Sequence, residues 1–110
     1  MFPQSWLTTR HTALTNVAET VVLAAGHFGG YFVYNPNASA AVLQLYDSAG
    51  TVVVGTTTPK CSFTIPAGAG ANLEIIRSLY CTAGIQIAAT TTATGGTAPA
   101  SPLVANIWYH

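Results

Sequence analysis

The segment 31–67 reads YFVYNPNASAAVLQLYDSAGTVVVGTTTPKCSFTIPA, and it decides the fold class because turn signals separate its short apolar stretches. Residues 41–46 alternate with a period of two, which is the spacing of a β-strand. The stretch Cys61–Ile65 alternates in the same way and ends at Pro66, which cannot donate a hydrogen bond to a sheet ladder. The segment therefore predicts a run of antiparallel strands.

Turn chemistry separates these predicted strands from one another. The tripeptide NPN at 35–37 ends a first strand at residues 31–34, because proline fixes φ and asparagine tolerates turn conformations. The tetrapeptide DSAG at 47–50 predicts a hairpin turn into the β-branched run at residues 51–54. Both turns favour short, antiparallel connections.

The rest of the chain supplies further short strands, predicted at residues 20–25, 73–76, 84–89 and Leu103–Tyr109. The glycine-rich segments 26–30 and 67–72 are interpreted as loops, and the threonine- and alanine-rich segment 90–101 is interpreted as the end of a strand that continues into a loop. About eight short strands, with a turn every ~8 to 12 residues, predict an all-β fold. We therefore expect a single antiparallel β-sandwich or jelly-roll-like domain.

Residues 1–19, MFPQSWLTTRHTALTNVAE, show no sustained helix or strand period. We interpret them as an extended N-terminal arm that precedes a β-sandwich domain at residues 20–110. Aromatic side chains are costly on a free arm, whereas they are common anchors when a neighbouring protein supplies the pocket. The candidate interface residues are the bulky members of this arm: Phe2, Trp6, Leu7 and Arg10. The alternative is that Trp6 folds back onto its own domain.

The composition is apolar and almost uncharged. Of the 110 residues, 50% are hydrophobic and 5% are charged, with three basic and three acidic residues and a formal net charge of zero. A free protein with so few charges tends to self-associate, so we expect partners to cover much of its surface. Nucleic-acid binding normally requires a basic face, which this balance does not provide. Nucleic acid is therefore not an expected partner.

Neither a membrane span nor a signal peptide is expected. No apolar run approaches the ~20 residues that a spanning helix needs, and the N-terminus lacks a basic segment followed by an apolar one. The two cysteines are Cys61 and Cys81, and Cys61 falls on the apolar face of its predicted strand. We expect two buried free thiols, and a disulfide between them is the alternative.

No pattern of residues points to catalysis or to a bound cofactor. The histidines are scattered and lack the spacing of metal ligands: His11, His27 and His110. The carboxylates Glu19, Asp47 and Glu74 are assigned to an arm, a turn and a strand, with no flanking catalytic motif. Glycine-rich residues 67–72 lack the Gly-Lys-Ser/Thr ending of a phosphate loop. The sequence therefore predicts a protein that is not an enzyme and uses no metal or cofactor.

The chain resembles a family of small structural proteins of tailed bacteriophages in three stretches: YNPNASAAVLQLYDSAG (34–50), GTTTPKCSFTIPAGAGANLEI (55–75) and GIQIAATTTATGGTAPASPLVANIWY (84–109). The resemblance extends over about residues 29–76 and 84–109. It implies a β-sandwich component of the virion, such as a capsid decoration (cement) protein, and it implies no enzymatic activity.

We accordingly expect a structural virion protein that binds and stabilises the head shell, located on the capsid surface after assembly in the host cytoplasm. Its expected partners are the major capsid protein or neighbouring virion proteins, and the resemblance implies a homotrimer. A second interpretation places the protein on the tail, the baseplate or a fibre. A third interpretation is a carbohydrate-binding module, with a sugar-stacking platform drawn from Trp6, Tyr31, Tyr34 and Trp108.

Overall fold

The computed structural model of the protein describes residues 6–110, and it contains strands but no α-helix in this range. The strands are β1 (Leu7–Leu14), β2 (Glu19–Val22), β3 (Gly26–Asn35), β4 (Ala41–Asp47), β5 (Cys61–Ile65), β6 (Ala69–Cys81), β7 (Ile85–Thr90) and β8 (Leu103–Tyr109).

The strands form two four-stranded antiparallel sheets. The first sheet has the order β1-β8-β3-β6, and the second sheet has the order β2-β7-β4-β5. The chain changes sheet at every connection except the one between β4 and β5, which pair with each other inside the second sheet. This is the strand order of an eight-stranded jelly roll. The prediction of an all-β, antiparallel sandwich is confirmed.

The core lies between the two sheets and is built by the inward half of each alternating strand. Leu43 and Ile87 from the second sheet and Val33 and Ile107 from the first sheet are completely buried. Tyr31 also points inward, where its ring lies 5.3 Å from that of Phe63, and burial raises the pKa of its hydroxyl. The alternation read from residues 41–46 and Leu103–Tyr109 is thus the alternation between core and outer face.

The structure corrects the expectation of an arm for residues 7–14, because these residues form β1 and pair with β8 from Leu7↔Tyr109 to Leu14↔Leu103. The strand period is hard to recognise because threonines occupy both of its faces and the register shifts after His11. His11 Nδ1 lies 2.8 Å from Glu19 Oε1, so a side-chain contact joins β1 to β2. Phe2 lies outside the described residues.

Residues 51–60 are not the second arm of a hairpin, as the sequence predicts, but a long loop between β4 and β5. Within it the backbone N–H groups of Thr56 and Thr57 donate to the carbonyl of Val53, which makes a local turn. Pairing with β4 begins only where Lys60 N–H donates to the carbonyl of Leu45. The β-branched run lies in this loop because β5 and β7 already occupy the two edges of β4.

Two glycine-rich segments that the sequence predicts as loops belong to strands. Residues 26–30 open β3, which therefore continues to Asn35, and β6 begins at Ala69 within the segment 67–72. Residues 20–25, predicted as one strand, contain β2 only as far as Val22. The glycines of β3 shape the outer face of the first sheet.

Candidate binding face

The protein's own loops cover the outer face of the second sheet over its two central strands, β4 and β7. Gln44 and Gln86 point away from the core, yet both are buried. Gln44 Nε2 lies 2.9–3.1 Å from oxygens at the end of β7 and in the segment that follows it: Thr90, Thr92, Ala93 and Gly95. Gln86 Nε2 donates to the carbonyls of Ser48 and Gly50, at 3.0 and 2.7 Å. The loops 48–60 and 91–102 are therefore tied onto this sheet by buried amides.

The outer face of the first sheet carries exposed aromatic side chains instead. The exposed fractions are 45% for Trp6, 46% for Phe32, 45% for Tyr34 and 50% for Tyr80. Phe32 and Tyr34 flank the buried Val33, so strand alternation directs both outward. We call this surface the aromatic face, and its members are Trp6, Phe32, Tyr34, Tyr80 and Trp108.

A bulge at two glycines interrupts the aromatic face. Pairing of β3 with both neighbours shifts between Phe28 and Gly30. Gly30 has a φ of 148°, and a Cβ there would overlap the carbonyl oxygen of Leu73. A Cβ at Gly29 would overlap the indole ring of Trp6. Both positions therefore require glycine, Gly30 for its backbone angle and Gly29 so that Trp6 can lie on the strand.

The bulge leaves a groove of about 690 Å³ in the aromatic face. Gly30 pairs with Trp108 on one side and with Glu74 on the other, so no side chain fills the space between those two residues. Trp6 and Trp108 line the groove together with Asn72 and Glu74. Both tryptophans of the chain therefore face the same cavity.

A row of rings holds Trp6 in position. The indole of Trp6 meets the ring of His110 edge to face, with ring centres 4.0 Å apart. His110 stacks on His27 at 4.7 Å, and His27 lies 4.9 Å from Tyr80. The backbones of His27 and His110 exchange hydrogen bonds of 2.6 and 3.0 Å, which fixes the middle of the row. Trp6 thus packs on its own domain while nearly half of its surface stays exposed.

The histidines do not form a metal centre within the described part of the chain. The rings of His27 and His110 stack nearly parallel instead of converging on one point, and His27 Nδ1 lies 3.0 Å from the Ser78 hydroxyl. Among residues 6–110, no group of three or more histidine, cysteine, aspartate or glutamate residues is placed to hold a metal ion. Across the same range, no helix is long and apolar enough to cross a membrane.

The aromatic face brings some of the sequence-predicted residues together. Trp6 lies on this face. Arg10 pairs with Asn106 in a row of residues that points to the same face, whereas Leu7 pairs with Tyr109 and has a half-exposed side chain. Three of the four proposed sugar-stacking residues share this face, namely Trp6, Tyr34 and Trp108. Tyr31 does not share it, because the bulge turns its side chain into the core.

Sequence reasoning missed Phe32 and Asn72 as surface residues. Phe32 lies two residues before Tyr34 on the same strand. If Val33 is assigned to the core, strand alternation predicts that both Phe32 and Tyr34 point outward. Asn72 was assigned to a loop, so its pairing with Phe32 across the sheet was not expected. Glu74 makes no ion pair with Arg77 within the described residues.

Both cysteines are free thiols, as the sequence predicts. Cys81 is completely buried, and desolvation raises the pKa of its thiol. Cys61 is only partly buried, which differs from the expectation for that residue because β5 is an edge strand of the second sheet.

Comparison of the chain with protein-family models, with curated proteins and with solved structures finds no match in any of the three.

Proposed function

We propose that this protein is a non-enzymatic structural component of a tailed-phage virion, a capsid decoration protein that attaches to its partner through the aromatic face. The observation that carries the attachment is the difference between the two sheets. Loops cover the outer side of the two central strands of the second sheet, β4 and β7, whereas the first sheet leaves Phe32, Tyr34 and Tyr80 about half exposed. Phe32 and Tyr34 are neighbours on the outer side of β3, and adjacent exposed apolar side chains are typical of interaction sites.

The chemistry of the face suits a partner that is held by apolar contact. Phe32 and Tyr34 are large, rigid side chains that anchor interfaces at low conformational cost. Arg10 and Asn106 lie in the row beside Phe32, where they supply hydrogen-bond donors at the edge of the aromatic cluster. The amide of Asn106 donates to the carbonyl of Phe32 at 3.3 Å, which supports the strand at that point.

A virion partner is supported by the sequence resemblance, which covers about residues 29–76, from within β3 into β6, and residues 84–109, which include β7 and β8. Jelly rolls are also a recurrent architecture among viral capsid domains, although the fold alone does not determine function. Trimer formation and the major capsid protein as partner rest on the same resemblance. A low charge content fits a protein whose surface is covered once it is assembled.

The proposal is tested by adding purified protein to phage particles that lack it and measuring co-sedimentation. Wild type should bind, and labelling with gold-tagged antibody should place it over the heads. Phe32→Ser and Tyr34→Ser should each weaken binding about 30-fold, as expected for an anchor worth about 2 kcal/mol.

The matched control is Val53→Ser, since Val53 is 54% exposed on a loop that covers the other sheet. This variant should bind as wild type does. Attachment through the aromatic face is wrong if all three variants bind equally well. The decoration proposal is wrong if wild type does not bind, or if the gold label is confined to tails.

A further inference from the structure

We propose that the groove between Trp108 and Glu74 binds a segment of a neutral saccharide. This inference does not depend on a virion location, because it concerns the groove and not the Phe32 and Tyr34 part of the aromatic face. The two indoles supply apolar surfaces, and Asn72 and Glu74 supply hydrogen-bonding groups opposite them.

The placement of these groups matches the two-sided chemistry of a sugar ring. A pyranose presents C–H groups on its faces and hydroxyl groups around its rim. The indole of Trp6 is fixed over Gly29 and against His110, so it offers a preformed flat surface. Across the groove, the Glu74 carboxylate can accept hydrogen bonds from hydroxyls, and the Asn72 amide can both donate and accept them.

The size of the groove is adequate for such a ligand. Its volume of about 690 Å³ lies within the range of about 300–1,000 Å³ that is typical of small-molecule sites. The groove opens onto the surface of the sheet between β8 and β6. A linear chain of sugars could therefore enter with its ends outside the groove.

Anionic and wholly apolar ligands fit the lining less well. No lysine or arginine lines the groove, so phosphates and nucleotides lack a countercharge, and Glu74 would repel an acidic sugar. A wholly apolar ligand would strip water from Glu74 and Asn72 without replacing their hydrogen bonds. A quaternary ammonium would be attracted to the carboxylate and the indoles, so choline is the discriminating competitor in the test.

Both tryptophans of the chain line the groove, so tryptophan fluorescence reports on this site alone. The purified protein is first applied to an array of immobilised neutral and acidic glycans, and soluble forms of the neutral ligands that bind are then titrated against tryptophan fluorescence. A saturable change with at least one neutral oligosaccharide is expected, without a change for sialyllactose or choline. The proposal is overturned if no neutral glycan binds, or if choline saturates the signal.

Variants then locate the ligand, with calorimetry as the readout. Glu74→Gln keeps the shape of an exposed side chain and should weaken binding about tenfold, because it removes a charged acceptor. Trp108→Ala should reduce binding further. Tyr34→Ala, which removes an aromatic ring of the same face outside the groove, should bind as wild type does.

The same variants separate this proposal from virion attachment. Glu74→Gln should leave co-sedimentation with particles unchanged, whereas Tyr34→Ser should lose it and keep saccharide binding. Equal loss of saccharide binding in Tyr34→Ala and Trp108→Ala would place the sugar elsewhere on the face and contradict the groove assignment. If Trp108→Ala fails to fold, Glu74→Gln with unchanged saccharide affinity is by itself sufficient to reject the proposal.

Discussion

At the scale of single residues, Asp47 shows how a short polar side chain joins distant parts of the chain. Its carboxylate accepts hydrogen bonds from the backbone N–H groups of Thr82 and Ala83, at 3.0 and 2.9 Å, and of Gly84 at 3.4 Å. The sequence assigns Asp47 to a hairpin turn, but its partners lie in the turn between β6 and β7. Sequence identifies the turn-forming residue type here, whereas only the fold identifies which turn it stabilises.

These hydrogen bonds, with Ala83 as the largest contributor, lower the pKa of Asp47 below its usual value. Lys60 Nζ lies 3.7 Å from the carboxylate and acts in the same direction. Because the pKa is lower in the folded state, the stabilisation is fully present above the unfolded-state pKa of about 3.9. It is lost as the pH falls through the lowered value.

We predict that Asp47→Asn decreases the free energy of unfolding by about 1 kcal/mol at neutral pH, in line with the loss of hydrogen bonds to a charged acceptor at a partly exposed site. The difference from wild type should shrink as the pH falls below about 4 and should disappear below the lowered pKa of Asp47, where both proteins carry a neutral side chain. Urea denaturation at a series of pH values measures this. A difference that stays constant into strong acid would show that the charge of Asp47 is irrelevant.

The glycine pair in β3 gives a second prediction at this scale. Gly30→Ala should decrease the free energy of unfolding by about 2 kcal/mol or more. Gly30 has a positive φ, and the new Cβ would overlap the backbone of Leu73. Gly70→Ala is the control, since a Cβ there would lie 3.5 Å from the ring of Phe32, an ordinary contact. Thermal melts of both variants decide the matter, and similar melting temperatures would refute the bulge geometry.

At the scale of elements, strands with clean alternation were predictable and those shaped by tertiary context were not. Residues 41–46 and Leu103–Tyr109 alternate sharply, and both form strands close to the predicted bounds. The run at residues 51–54 has equally good strand composition, but it cannot pair with β4, because β5 and β7 occupy both edges of that strand. The whole sheet decides which strands pair, and the local sequence carries little information about that pairing.

Strand β1 leads to a prediction opposite to that of a detachable arm. Its pairing with β8 and the complete burial of Leu14 make it part of the sandwich. A chain that begins at Ala18 should therefore lose cooperative unfolding or melt far below the full-length protein, because β8 loses a neighbour and the core loses Leu14. Circular dichroism during heating is the measurement, and a melting temperature within a few degrees of full length would restore the arm interpretation.

The loop that covers the second sheet depends on Gln44. We predict that Gln44→Ala lowers stability by about 2 kcal/mol and speeds amide hydrogen exchange in residues 91–102, because the carbonyls of this loop lose the buried Gln44 amide as their donor. Gln86→Ala is the matched control and should speed exchange in residues 48–60 instead, through loss of its bonds to Ser48 and Gly50. Equal exchange rates in both loops for both variants would mean that the amides do not fasten them.

At the scale of the whole molecule, the sequence supplied the fold class and an expectation of a covered surface, but it did not locate that surface. The low charge content indicates partners, yet it does not say which sheet they cover. We place the proposed partner surface on the first sheet because the loops 48–60 and 91–102 dock on the second sheet, whereas Phe32, Tyr34 and Tyr80 of the first sheet stay about half exposed. The groove could not be predicted from the sequence either. The pair Gly29-Gly30 is typical of a loop, and only the pairing of β3 with β6 and β8 shows that it forms a bulge within a strand.

The central claim is that the aromatic face is the surface by which the protein binds its partner. Hydroxyl-radical footprinting of the free and particle-bound protein, read by mass spectrometry, tests it most directly because aromatic side chains are the main targets. We predict that binding protects Phe32 and Tyr34, while Val53 on the covering loop of the second sheet is oxidised at the same rate in both states. Protection of the loops 48–60 and 91–102, with unchanged oxidation of Phe32 and Tyr34, would contradict the claim.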